Sequence, residues 1–127
     1  MLALILAAAL GGGCANPSIL SANVQSVSTN GALNYYTLAI NVQNQGYLRQ
    51  PSDLLASVDV FQAGQRVDQL GLQPLGPGQS QRVQYTLKRS VEAGAGSTDL
   101  TFALDFNGRS GNNVDCRAGT ETFTISV

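Results

Sequence analysis

The chain has 127 residues, seven basic against eight acidic side chains, and neither histidine nor tryptophan. That length supports one domain with a proper core but not two, and an apolar share of 43% excludes a disordered chain. Lys88 and six arginines are scattered singly, so no basic stripe exists to displace counterions from a nucleic acid, and none is expected as a partner. Without histidine the chain lacks the commonest general base and the commonest metal ligand together.

In chain order, Leu2 to Leu10 is an unbroken run of Leu, Ala and Ile, followed by Gly11-Gly12-Gly13-Cys14. The run is too short to cross a bilayer core, which needs roughly 20 residues, but it matches the apolar region of an export signal. The cysteine directly after small residues resembles the lipobox of bacterial lipoproteins. That resemblance implies a signal peptide over residues 1–13, acylation of Cys14 as the mature N-terminus, and, with Ala15 following it, sorting to the outer membrane.

A single domain is expected over residues 14–127. Pro17 to Val27 reads as a first strand whose alternation slips, the mark of a bulge. Ser28 to Gly31 is a turn, with Asn30-Gly31 its strongest signal. In Asn34–Gly46, NYYTLAINVQNQG, the apolar residues Tyr36, Leu38, Ile40 and Val42 take every second position, which predicts a long central strand. Asn44-Gln45-Gly46 is read as the turn that ends it. Leu54 to Phe61 predicts a second central strand, buried on both faces, and Ala63-Gly64-Gln65 turns it into a shorter strand, Arg66 to Leu72. The two prolines and two glycines of Gln73–Gly78 demand a connection. Val83, Tyr85 and Leu87 alternate with Arg82, Gln84, Thr86 and Lys88, then Ala93–Ser97 forms a loop. Leu100, Phe102, Leu104 and Phe106 give another strand, Asn107 to Asp115 a polar loop, and Phe123, Ile125 and Val127 the inner side of the last strand.

About seven short strands separated by turn residues, with no convincing helix, predict an all-β protein: an immunoglobulin-like antiparallel β-sandwich. The order of features resembles the CARDB family, the cell-adhesion-related Ig-like domain of bacteria. Asn44-Gln45-Gly46 matches its turn after the long strand, and Leu75-Gly76-Pro77-Gly78-Gln79-Ser80 matches its next motif. Leu104-Asp105 stands at its aspartate, and Gly111-Asn112-Asn113 at its terminal pair. The resemblance covers Pro17 to Val127 and implies a module with an adhesive or assembly role on an exported protein.

Few residues carry chemistry. Asp105, Asn107 and Asp115 are too sparse for a calcium loop, which takes an oxygen ligand at every second position; a plain hairpin loop is expected, with no metal or other cofactor. No histidine activates Ser or Cys and no acids cluster, although Asp59 and Asp105 lie on two central strands where they can approach each other. No catalytic residue, and no enzyme, is expected. In an Ig-like topology the first and last strands run the same way, which brings Cys14 and Cys116 to one end of the sandwich and allows a disulfide between them. Acylation of Cys14 and that disulfide compete for one sulfur atom. Tyr47, Leu48 and Arg49 form either an exposed partner contact, since Tyr and Arg are enriched in binding hot spots, or a plug over the open end of the core.

The expected function is a lipid-anchored envelope protein, facing the periplasm from the outer membrane, that binds or scaffolds another envelope component. The alternative is a soluble periplasmic or secreted accessory module closed by Cys14–Cys116. A carbohydrate-binding module is the weaker third reading, because aromatics total only 6% and most sit at core-facing positions.

Overall fold

The computed structural model describes residues 15–50, 52, 56–93, 96–106 and 122–127. The apolar segment Leu2–Leu10, Cys14, Leu54, Leu55, the loop Asn107–Asp115 and Cys116 lie outside the described residues. Seven strands are formed: β1 (Pro17–Asn30), β2 (Leu33–Asn44), β3 (Ala56–Gln62), β4 (Gln65–Leu72), β5 (Ser80–Ser90), β6 (Asp99–Phe106) and β7 (Thr122–Ser126). They make two antiparallel sheets, one of three strands in the order β1-β2-β5 and one of four in the order β4-β3-β6-β7. The expected all-β sandwich is what forms. One short 3-10 turn, Val91–Ala93, stands in what the sequence reads as a strand end and loop.

Alternation builds the three-stranded sheet. Leu38, Ile40 and Val42 on β2 are fully buried. Across the ladder Ile40 faces Ala22 on β1 and Val83 on β5, and Leu38 faces Val24 and Tyr85. Cross-strand neighbours on one face pack in this way into continuous rows. The expected slip in β1 appears as register shifts between Ile19 and Ser21 and between Val24 and Ser26. Each shift restores an apolar side chain to the inner face after one residue that would have reversed it.

In the four-stranded sheet β3 is central, and Ala56 to Val60 are buried on both faces. Its inner residues Val58 and Val60 face Leu104 and Phe102 on β6, and Phe102 in turn faces Phe123 on β7. Together with Ile19, Leu75, Leu87 and Leu100 these residues form one core between the sheets.

Tight hairpins set the registers. Gly31, with φ of 63°, is the first of the two loop residues between Asn30 and Leu33, where a type II′ turn places its glycine. Ala63 and Gly64 join β3 to β4 with φ of 53° and 79°, the two positive values of a type I′ turn.

The ladders also fix direction. β1, β3, β5 and β7 run one way and β2, β4 and β6 the other. Pro17 pairs with Asn44, Gln43 with Ser80 and Ala56 with Phe106 at one end, while Leu33 pairs with Ser90 at the other. The first end carries residue 15, residues 45–50, the connection 73–79, the start of β3 and the end of β6. The second carries the hairpins at 31–32 and 63–64 and the link from β5 to β6. Arg89 closes this second end: its guanidinium donates to the Tyr36 hydroxyl (3.0 Å), to the Val127 main-chain oxygen (2.7 Å) and to Thr98 (3.3 Å), joining the sheets.

Candidate binding surfaces

The first end is organised by Asn44. Its side chain is fully buried and uses its full hydrogen-bonding capacity. Oδ1 accepts from the Asn16 and Gly46 amides, both at 2.9 Å. Nδ2 donates to the Leu48 carbonyl at 2.8 Å and the Leu75 carbonyl at 2.9 Å. The bond to Gly46, two residues on, is the Asx turn that its sequence implies. The other three bonds tie in the entry to β1, the loop after β2 and the connection between β4 and β5. The backbone of Asn44 extends this, donating to Gln79 (3.0 Å) and accepting from Gly78 (2.8 Å). Asn44 is thus the last residue of β2 and a buried anchor as well as a turn residue.

A second amide works beside it. Gln50 is buried; its main-chain amide donates to the Leu75 carbonyl (3.0 Å) and its Oε1 accepts from the Leu75 amide (2.9 Å). Gripped from both sides, Leu75 is only 3% exposed and belongs to the core. Leu75, rather than Tyr47 or Leu48, therefore plugs this end of the sandwich. Tyr47 and Leu48 are 62% and 39% exposed, and Arg49 is exposed with its guanidinium over Gly76. A Cβ on Gly76 would stand 2.8 Å from an Arg49 terminal nitrogen, so glycine there lets the arginine lie flat on the loop. An open cleft of about 410 Å³ lies between Tyr47 and Pro77, floored by Gln43 and Gly46.

A different surface runs along the side. β1 is an edge of its sheet and has no charged residue in its 14 positions. Val24 and Val27 point to the inner side, opposite Leu38 and Tyr36, yet remain 40% and 55% exposed. Leu20 is 46% exposed. The other edge of the same sheet is β5, which carries Arg82, Lys88 and Arg89. Charge is one of the devices by which edge strands avoid pairing with other chains, and β1 relies instead on its two register shifts.

The acidic residues do not form a reactive pair. Asp59 and Asp105 share the outer face of β3 and β6, but Asp105 pairs with Ser57 and Asp59 with Ala103, so the carboxylates sit on a diagonal. Asp59 is buried and accepts from Ser57 (2.7 Å) and Arg66 (3.4 Å), while Gln69 donates to Ser57 (3.1 Å). The network explains how a carboxylate is held inside a strand. Cys14 and Cys116 are outside the described residues. Ala15, which follows Cys14, sits at the first end, where β7 also starts, and β1 packs beside β7. The parallel course of first and last strands expected from the sequence is therefore present.

No protein-family model matches the chain, and no curated protein matches it. Among solved structures it is similar to the CARDB domain of the PF1109 protein from Pyrococcus furiosus, determined as a crystal structure in complex with di-metal ions. The TM-score is 0.65 at 14% identity, covering 91% of this chain and 93% of that one. The solution NMR structure of the same domain gives a TM-score of 0.58 at 14% identity, covering 91% and 94%. At that identity the likeness is one of fold: the chain shares the β-sandwich architecture of that CARDB domain.

Proposed function

We propose that this chain is a non-catalytic lipoprotein of the cell envelope, anchored through Cys14, whose sandwich binds or scaffolds another envelope component by accepting a strand at β1. The observation that carries the binding role is the edge itself: 14 residues, uncharged, with Leu20, Val24 and Val27 exposed. An extended segment laid along such an edge gains main-chain hydrogen bonds from the ladder and specificity from alternate side-chain positions. The lipobox-like sequence before Ala15 supports the anchor, and the absence of histidine supports a role without catalysis. The PF1109 domain is in complex with di-metal ions. Among the described residues here no group of three His, Cys, Asp or Glu side chains comes together, so the proposed role rests on the edge rather than on a metal.

A soluble accessory module closed by a Cys14–Cys116 disulfide is the second reading, favoured by the common starting end of β1 and β7.

The test is a benzophenone amino acid at Asn23 on β1 of the membrane-resident protein. Irradiation is expected to give one discrete adduct with an envelope protein. Val27→Lys, which puts a charge on the edge, is expected to abolish that adduct without lowering Tm. No adduct, or one indifferent to Val27→Lys, overturns strand addition at β1.

A further inference from the structure

We infer that Tyr47, Leu48 and Arg49 contact the headgroup layer of the membrane to which the protein is anchored, so that the sandwich stands end-on. The inference rests on acylation of Cys14 and adds to it an orientation and a lipid-contact surface. Its basis is how the residues just after Cys14 are held. The Asn16 amide is held by Asn44 Oδ1 (2.9 Å), the Gln45 amide donates to the Asn16 carbonyl (2.8 Å), and Ala15 is buried. Cys14 is two residues from Asn16, a reach of about 7 Å along the chain, and Tyr47 is two residues from Gln45, about 7 Å again. Chain length alone therefore keeps Cys14 within roughly 20 Å of Tyr47. No tether exists between anchor and fold that is long enough to lift this end off the bilayer.

The loop has the chemistry for such a surface. Tyr47 presents an amphipathic ring, of the kind that concentrates at the headgroup level, and Leu48 an adjoining apolar side chain. Arg49 carries a guanidinium suited to phosphate, and it forms no ion pair with any described residue. Within residues 45–50 and 73–79 Arg49 is the sole charge, and Asp53 follows it further along the same connection. The far end carries Val91, 43% exposed, whose amide bonds the Ala32 carbonyl. It lies about 40 Å away, the span of β1 at about 3.3 Å per residue.

Because the chain has no tryptophan, Tyr47→Trp introduces a unique fluorophore. The protein carrying it is purified from membranes, its N-terminal mass is measured, and it is reconstituted into phosphatidylcholine–phosphatidylglycerol vesicles containing lipid spin-labelled on the headgroup. Acylated protein is expected to show blue-shifted emission and to lose most of it to the quencher. Val91→Trp in the same vesicles is expected to keep water-exposed emission and remain unquenched. Acylated protein with an unquenched indole at position 47, or equal quenching at 47 and 91, overturns the end-on contact and leaves the anchor standing. An unacylated N-terminus overturns both.

Discussion

Asn44 shows how one side chain can hold an end of a sandwich. Two acceptors and two donors on its amide meet two donors and two acceptors on backbone from three segments. Removing it takes one of two donors from the buried Leu75 carbonyl, which keeps the Gln50 amide, and withdraws the side-chain partner of the Leu48 carbonyl and the Gly46 amide; an unsatisfied buried group costs about 1–3 kcal/mol. Asn44→Ala is therefore expected to lower unfolding free energy by about 3–4 kcal/mol in urea titration. Asn44→Asp is expected to do comparable harm, because a carboxylate oxygen cannot donate to the Leu48 and Leu75 carbonyls; a loss within about 0.5 kcal/mol for both variants contradicts the anchor role. The sequence shows Asn44 as a turn former because its bond to Gly46 is local. Its bonds to Asn16 and Leu75 span 28 and 31 residues and leave no local trace. The same limit applies to the plug. Leu48 and Leu75 are both leucines in Gly- and Pro-containing connections, and it is the bonds from Gln50 and Asn44 to the Leu75 backbone that accompany its burial.

At the scale of elements, alternation made the inner faces of β2 and β6 legible, and glycine placed the hairpins at 31–32 and 63–64. What alternation does not tell is which strands become edges. β1 and β5 both read as amphipathic, yet one edge is neutral and the other basic. The basic edge stacks against β4, and this contact has a titratable reporter. Burial, and secondarily the negative charge of Asp68, raise the Tyr85 hydroxyl above its ordinary value of 10.0. A phenol whose folded value is raised stabilises the protein below about pH 10, and that contribution is lost as pH rises through the folded value. Stability is thus expected to fall at alkaline pH less steeply in Tyr85→Phe than in the parent. Ultraviolet difference titration against Tyr85→Phe is expected to place this hydroxyl above 10.0, and Asp68→Asn to bring it partly down. Titration of Tyr85 at its ordinary value of 10.0 contradicts the packing of β4 on β5.

For the whole molecule, the number of strands and their sandwich follow from the spacing of turns, and the agreement in fold with the CARDB domain of PF1109 covers 91% of the chain. The division into three and four strands and the gathering of residues 45–50 and 73–79 at the end that carries residue 15 are properties of pairing, which no single segment encodes. That gathering is what links the two proposals: if Cys14 is acylated, the Tyr47 end is set towards the bilayer and the β1 edge is left exposed along the length of the molecule. The deciding measurement is intact mass spectrometry of the mature protein from its native membrane fraction. The account predicts an N-terminus at Cys14 bearing a diacylglyceryl group and an acyl chain, with Cys116 outside any bond to it. A soluble, unmodified chain with Cys14 joined to Cys116 contradicts it.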